Sequence, residues 1–156
     1  MNYFAIKFGR EPLLCTLFMI TLLSYSSLVM GGDFQNAAVR GDLVKVTALL
    51  KANPNLSVAR DSMGLTPLHY AAATGRDDVA AFLLDNHADV NAMDDNGLTP
   101  LHYAAAFGRM GVPELLLARK ADVNAKDNRG RTPLFYAETT HHQSVAQFLR
   151  EHGGLE

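Results

Sequence analysis

The sequence predicts an all-α solenoid of about four helix-turn-helix/β-turn units, preceded by an apolar N-terminal leader helix. Three observations carry this. First, TPLHYAAAFG at residues 99–108 has a near-copy, TPLHYAAATG, at 66–75 and a weaker one, TPLFYAETTH, at 132–141. The copies start 33 residues apart, twice in succession. A fixed period of this size marks units that bury their faces only against neighbours. Second, each copy opens on Thr-Pro, a helix start, and a second apolar segment follows it. Third, residues 1–32 differ in character from everything after them.

In that leader, Lys7 and Arg10 precede an apolar run from Leu13 to Leu23, then a Ser-rich segment and Gly31-Gly32. The order is that of a secretory signal peptide. The alternative is an uncleaved N-terminal membrane anchor, since residues 13–30 approach the lower limit for a span. Ser24, Tyr25, Ser26 and Ser27 weaken a span and favour cleavage. Cys15, the single cysteine, lacks the small residues expected before a lipid-modified cysteine. No disulfide can form within the domain.

Within one unit, Thr99 is placed to cap an orphan N–H and Pro100 is preset for the first helical turn. Leu101, Ala104 and Ala105 make a narrow apolar face, mostly alanine, that a neighbouring helix can approach closely. Gly108 is expected to turn left-handed and end the helix. Val112, Leu115, Leu116 and Leu117 form a second short helix, and Asp127-Asn128-Arg129-Gly130 a tight turn. Neither helix is long enough to persist alone in water, so stacking must supply the stability.

These residues together resemble the ankyrin repeat: TPLHYAA, a glycine after the first helix, a leucine pair in the second, then ADVNA-x-D-x-x-G. The resemblance runs from Asp33 to the C-terminus. It implies a domain at residues 33–156, with repeats at about 33–65, 66–98, 99–131 and 132–156. The first unit lacks the proline start and carries one inserted residue near Asn53-Pro54-Asn55, as a divergent end unit can. In the second, His87 stands where the family often has glycine, so it must turn left-handed or shift the turn. In the third, Pro113 requires the second helix to begin at about Gly111 or Val112. In the fourth, Phe135 replaces the His of TPLH and His141 replaces the glycine. In the family that His ties its own Thr to backbone toward the adjacent repeat, and an apolar residue in a last unit can act as a cap.

Catalytic chemistry finds no support. His69 and His102 occupy the structural TPLH position, and His141-His142 are neighbours that do not face one way on a helix. With no cysteine in the domain, zinc lacks a ligand set. Ser57, Ser62 and Ser144 have no nucleophile-elbow context, and no phosphate loop is present. No catalytic residue, metal or cofactor is expected. The near-neutral balance, 14 Lys+Arg against 16 Asp+Glu, gives no reason to expect nucleic acid.

What remains is surface. The resemblance implies a non-catalytic module that binds another protein through its finger tips and concave helix face. The expected contact residues are Met63, Leu65, Tyr70, Thr74, Asp95, Asn96, Leu98, Tyr103, Phe107, Asn128, Arg129 and Arg131. Met63, Leu65, Leu98 and Phe107 are expected as exposed apolar tips. Tyr70, Tyr103 and Tyr136 recur at the repeat spacing, as interface anchors or as inter-repeat packing. The tips change sign, Asp94-Asp95 in one finger and Lys126, Arg129 and Arg131 in the next, which favours one docking register. The leader points to a small exported protein of bacterial type, in the periplasm or outside the cell, or held at the inner membrane. Membrane contact, if any, runs only through residues 13–30. Two other roles fit: a secreted effector binding a host protein, and an immunity- or inhibitor-type protein occluding an enzyme.

Overall fold

The computed structural model describes residues 32–155; the leader helix, signal peptide and anchor readings lie outside them. Among the described residues the chain is all-helical, with no strand. The helices come in pairs: α1 (Asp33–Arg40) with α2 (Leu43–Ala52), α3 (Pro67–Thr74) with α4 (Asp77–Asp85), α5 (Pro100–Ala106) with α6 (Gly111–Ala118), and α7 (Pro133–Thr139) with α8 (Gln143–Glu151). A 3-10 turn, Pro54–Val58, takes up the chain after α2. Asn53 starts that turn by accepting the Asn55 N–H at 3.2 Å. The insertion in the first unit is therefore absorbed locally.

The odd-numbered helices α1, α3, α5 and α7 pack in sequence as one row, and the second helices form a looser row behind them. Alanine explains the difference. Ala71, Ala72, Ala104 and Ala105 are fully buried, and their small side chains let the first helices approach closely. Leu68, Leu101, Leu134, Leu83, Leu116 and Leu149 fill the space between the rows. Pro113 is the third residue of α6, where its missing N–H would have had no intrahelical partner.

Neighbouring units are tied by directional bonds as well. The Arg76 side chain lies over Gly41 and donates to the Val39 carbonyl at 3.1 Å; Arg109 lies over Gly75 and donates to the Ala73 carbonyl at 3.2 Å. The His142 ring covers Gly108 in the same way. Left-handed backbone recurs with the repeat, and not always at glycine. His87 and Lys120 have φ of 67° and His141 has φ of 63°. His87 thus takes the left-handed option rather than a shifted turn.

Candidate functional site

Each finger is the turn that leads into the next Thr-Pro helix, and one aspartate organises it. Asp94 Oδ1 accepts the N–H groups of Asn96 at 2.9 Å and Leu98 at 2.8 Å; Asp127 Oδ1 accepts those of Arg129 at 2.8 Å and Arg131 at 2.9 Å. Asp61 does the same for Met63 and Leu65. The other carboxylate oxygen of each takes a tyrosine hydroxyl from the following helix: Tyr70 to Asp61 at 2.5 Å, Tyr103 to Asp94 at 2.9 Å, Tyr136 to Asp127 at 2.7 Å. These tyrosines are buried and brace the fingers from inside. Of the two roles the sequence left open, packing is the one the geometry assigns.

The histidines tie unit to unit. His69 Nδ1 accepts the Thr66 N–H at 3.0 Å, so the ring proton sits on Nε2, which donates to the Leu98 carbonyl at 3.0 Å. His102 repeats this between Thr99 and the Arg131 carbonyl, at 3.0 and 3.1 Å. Each ring also meets the next unit's tyrosine edge-on, His69 against Tyr103 at 5.4 Å and His102 against Tyr136 at 5.6 Å. Burial lowers the His69 pKa from 6.5 to about 4, against the pull of its bond to Leu98. Burial lowers that of His102 as well. In the fourth unit Phe135 cannot make this bond. There the Thr132 hydroxyl donates to the Leu155 carbonyl at 2.7 Å.

The two buried aspartates differ in charge environment. Burial raises the pKa of Asp94, which has hydrogen bonds but, among the described residues, no ion pair. Asp127 is also pushed up by burial, but Arg131 and Tyr136 outweigh this and hold it below the usual carboxylate range. Arg131 Nη2 stands 2.6 Å from Asp127 Oδ2, and its guanidinium lies 4.8 Å from the centre of the Tyr136 ring. Among the described residues no buried side-chain nitrogen or oxygen lacks a partner. The polar interior is therefore scaffold, and what can act on other molecules lies outside it.

Several expected contact residues sit elsewhere than the sequence placed them. Leu65 and Leu98 are buried, at 3% and 7% exposure, rather than exposed at the tips. The turns at Gly64 and Gly97 reverse the chain, and the leucine that follows each points into the core. Tyr70 and Tyr103 are buried too. Met63 and Phe107 are half-buried against the same core, and Thr74 is half-buried with its hydroxyl on the Tyr70 carbonyl at 2.7 Å. Arg131 is half-buried and committed to Asp127. Asp95, Asn96, Asn128 and Arg129 do stand exposed, in a row across two fingers. Sequence reasoning missed Met93, which is 48% exposed at the edge of the second finger, and Phe135, 37% exposed at the end of the stack. The signal was available. Arg60, Met93 and Lys126 share one repeat position immediately before the organising aspartate, and all three are exposed.

Residues 68–117 match the family described as ankyrin repeats (many copies). The chain is 40% identical over 70 residues to an E3 ubiquitin-protein ligase, XBAT33, of Arabidopsis thaliana, covering 44% of this chain and 14% of that protein. It is 40% identical over 53 residues to the 2-5A-dependent ribonuclease of Mus musculus, covering 34% and 7%. It is 35% identical over 66 residues to palmitoyltransferase akr1 of Aspergillus oryzae, covering 42% and 9%. The chain thus spans a small part of the curated relatives it matches. Those relatives carry unlike activities, and what this chain shares with each is a stretch of similar sequence within the repeats.

Proposed function

Because these are ankyrin repeats, we propose that the chain is a non-catalytic protein-binding module of the cell envelope, which holds its partner along the fingers and the concave row of first helices. The observation that carries this is the division of labour within each repeat. Among the described residues the buried His and Asp side chains are bound within the scaffold, while Met93, Asp95, Asn96, Asn128 and Arg129 stand exposed at the fingers. A row of mixed polar and apolar groups on a pre-organised frame loses little entropy on binding. The ankyrin repeat is itself a non-catalytic interaction unit, and the ligase, ribonuclease and transferase names of the relatives describe whole proteins many times longer than the matched segments.

Placement in the envelope rests on the composition of residues 1–32, a basic start and an apolar run. Among the described residues no helix is long and apolar enough to cross a membrane. N-terminal sequencing of the exported protein distinguishes a cleaved leader from an anchor. Recovery of the protein from the cytoplasm alone, with Met1 intact, would reject the envelope placement.

The binding surface is tested by changing Asp95, Asn96 and Arg129 together to alanine, then repeating affinity purification from the native cell. All three are exposed, so the fold should survive, as far-UV circular dichroism will report. Loss of partners that the unaltered chain retains supports the finger surface. Unchanged recovery rejects it.

A further inference from the structure

Asn96-Gly97 is the only Asn-Gly pair in the sequence, and the fold places it at the joint between two fingers. Asparagine is a chemically labile residue, most of all where the next residue has no side chain to crowd its amide. The fold requires a glycine at 97. Its φ is +79°, and a Cβ there would meet Asn128 Oδ1 at 2.7 Å and the Asn128 backbone nitrogen at 2.9 Å. The same turn occurs at Gly64 and Gly130, but Met63 and Arg129 precede those glycines. Of the three fingers, the second alone sets an asparagine before its turn glycine.

Several other asparagine amides are held where that of Asn96 is not. Asn86 Nδ2 donates to the Phe82 carbonyl at 2.8 Å, Asn91 Oδ1 accepts the Asp122 N–H at 2.9 Å, and Asn124 Nδ2 donates to the Gly153 carbonyl at 3.0 Å. Asn96 is exposed, and among the described residues its side chain makes no hydrogen bond. What restrains the site is the main chain. The Gly97 N–H donates to the Asp94 carbonyl at 3.0 Å, and the Asn96 carbonyl accepts the Asn128 N–H at 2.9 Å. Asn128 Nδ2 donates to the Asp95 carbonyl at 3.0 Å. Asn128 thus covers Gly97, which is buried, and ties the second finger to the third.

We infer that Asn96-Gly97 is a self-modification site, where the second finger sheds ammonia, gains a carboxylate and loses its tie to the third. The finger opens locally as Asn128 swings away. The Gly97 nitrogen then gives its proton to hydroxide and attacks Cγ of Asn96. The Cγ–Nδ2 bond breaks, and the departing nitrogen takes a proton from water and leaves as ammonia. Water opens the resulting cyclic imide, so nothing is oxidised or reduced. Addition at the side-chain carbonyl gives aspartate; addition at the main-chain carbonyl gives isoaspartate, whose main chain runs on through Cγ. In isoaspartate the carbonyl that held the Asn128 N–H has become a free carboxylate outside the main chain. The lengthened chain no longer fits the turn that Asp94 organises, and the new charge lies beside Asp95. This chemistry consumes only water and does not rest on the protein-binding reading.

The test incubates the whole chain at mildly alkaline pH, native and in urea, and maps its peptides by mass spectrometry. The expected result is the mass gain of an amide turned to acid, at residue 96 of the native chain and ahead of every other asparagine. Isoaspartate should be the main product, identified with an isoaspartate-specific methyltransferase. Amide exchange followed by NMR should show the Asn128 N–H losing its protection in the converted chain. Asn128→Ala should quicken conversion severalfold, since it removes the side chain over Gly97, and Asn96→Gln should abolish it. A residue 96 that stays intact in the native chain while the urea-unfolded chain converts would overturn the site, because the bond to the Asp94 carbonyl would then hold the Gly97 nitrogen back. So would a mass gain that persists in Asn96→Gln. A rate indifferent to Asn128→Ala, or an Asn128 amide protected as before, would overturn the loss of the tie between the fingers.

Discussion

Acid should loosen this stack through His69, and the size of the effect follows from its burial. The ring is inaccessible to water, its Nδ1 faces the Thr66 N–H, and its Nε2 proton is held by the Leu98 carbonyl. A second proton on Nδ1 would point at a donor and charge a buried ring. The folded-state pKa is accordingly about 4, against 6.5 when exposed. A lowered histidine pKa means that the unfolded chain binds more protons between these values, so stability is full above pH 6.5 and falls as pH drops toward 4. The loss amounts to about 2–3 kcal/mol by about pH 4, before any share from His102. A domain of this kind is stable by roughly 5–15 kcal/mol, so the fraction is large. Urea unfolding at about pH 7, 5.5 and 4.5 measures it, with His69→Leu as the variant that removes the proton site. The variant should be less stable than the wild type at pH 7 and show a shallower decline with acid. NMR of the His69 ring protons gives the folded pKa directly. A ring titrating near 6.5, or equal pH slopes for both proteins, would refute the reasoning.

Other outcomes follow from the same geometry. Tyr103→Phe takes a donor from buried Asp94, which has no ion pair among the described residues, and should cost about 1–3 kcal/mol in urea unfolding. Tyr136→Phe should cost less, because Arg131 still holds Asp127. Leu101→Ala empties a fully buried site and should cost about 2–5 kcal/mol; a change near zero would mean the repeat register is wrong. His87→Gly relieves a left-handed backbone and should stabilise by up to about 1 kcal/mol, read as a higher thermal midpoint.

The repeat register was legible because it depends on spacing alone. Thr66, Thr99 and Thr132 start helices at one interval, and the leucines and alanines behind them fall where stacking needs them. The tips were harder. Leu98 follows Gly97 in a segment that looks like loop, and an apolar residue in a loop suggests exposure. The left-handed glycine turns it inward, a backbone effect that hydropathy does not carry. Arg131 at the equivalent position obscured the pattern further, since a charged residue there suggested that the whole row faced water. The tyrosines had a partner in plain view: Asp61, Asp94 and Asp127 each lie nine residues before one, at the same period. Pairing the two series would have assigned the hydroxyls to the interior.

Hydrogen–deuterium exchange on the chain, free and with the partner recovered from its native cell, tests the central claim most directly. The account predicts added protection at residues 93–96 and 126–131, with the outer faces of α2, α4 and α6 unchanged. Protection confined to those outer helices, with the fingers exchanging as in the free chain, would contradict it.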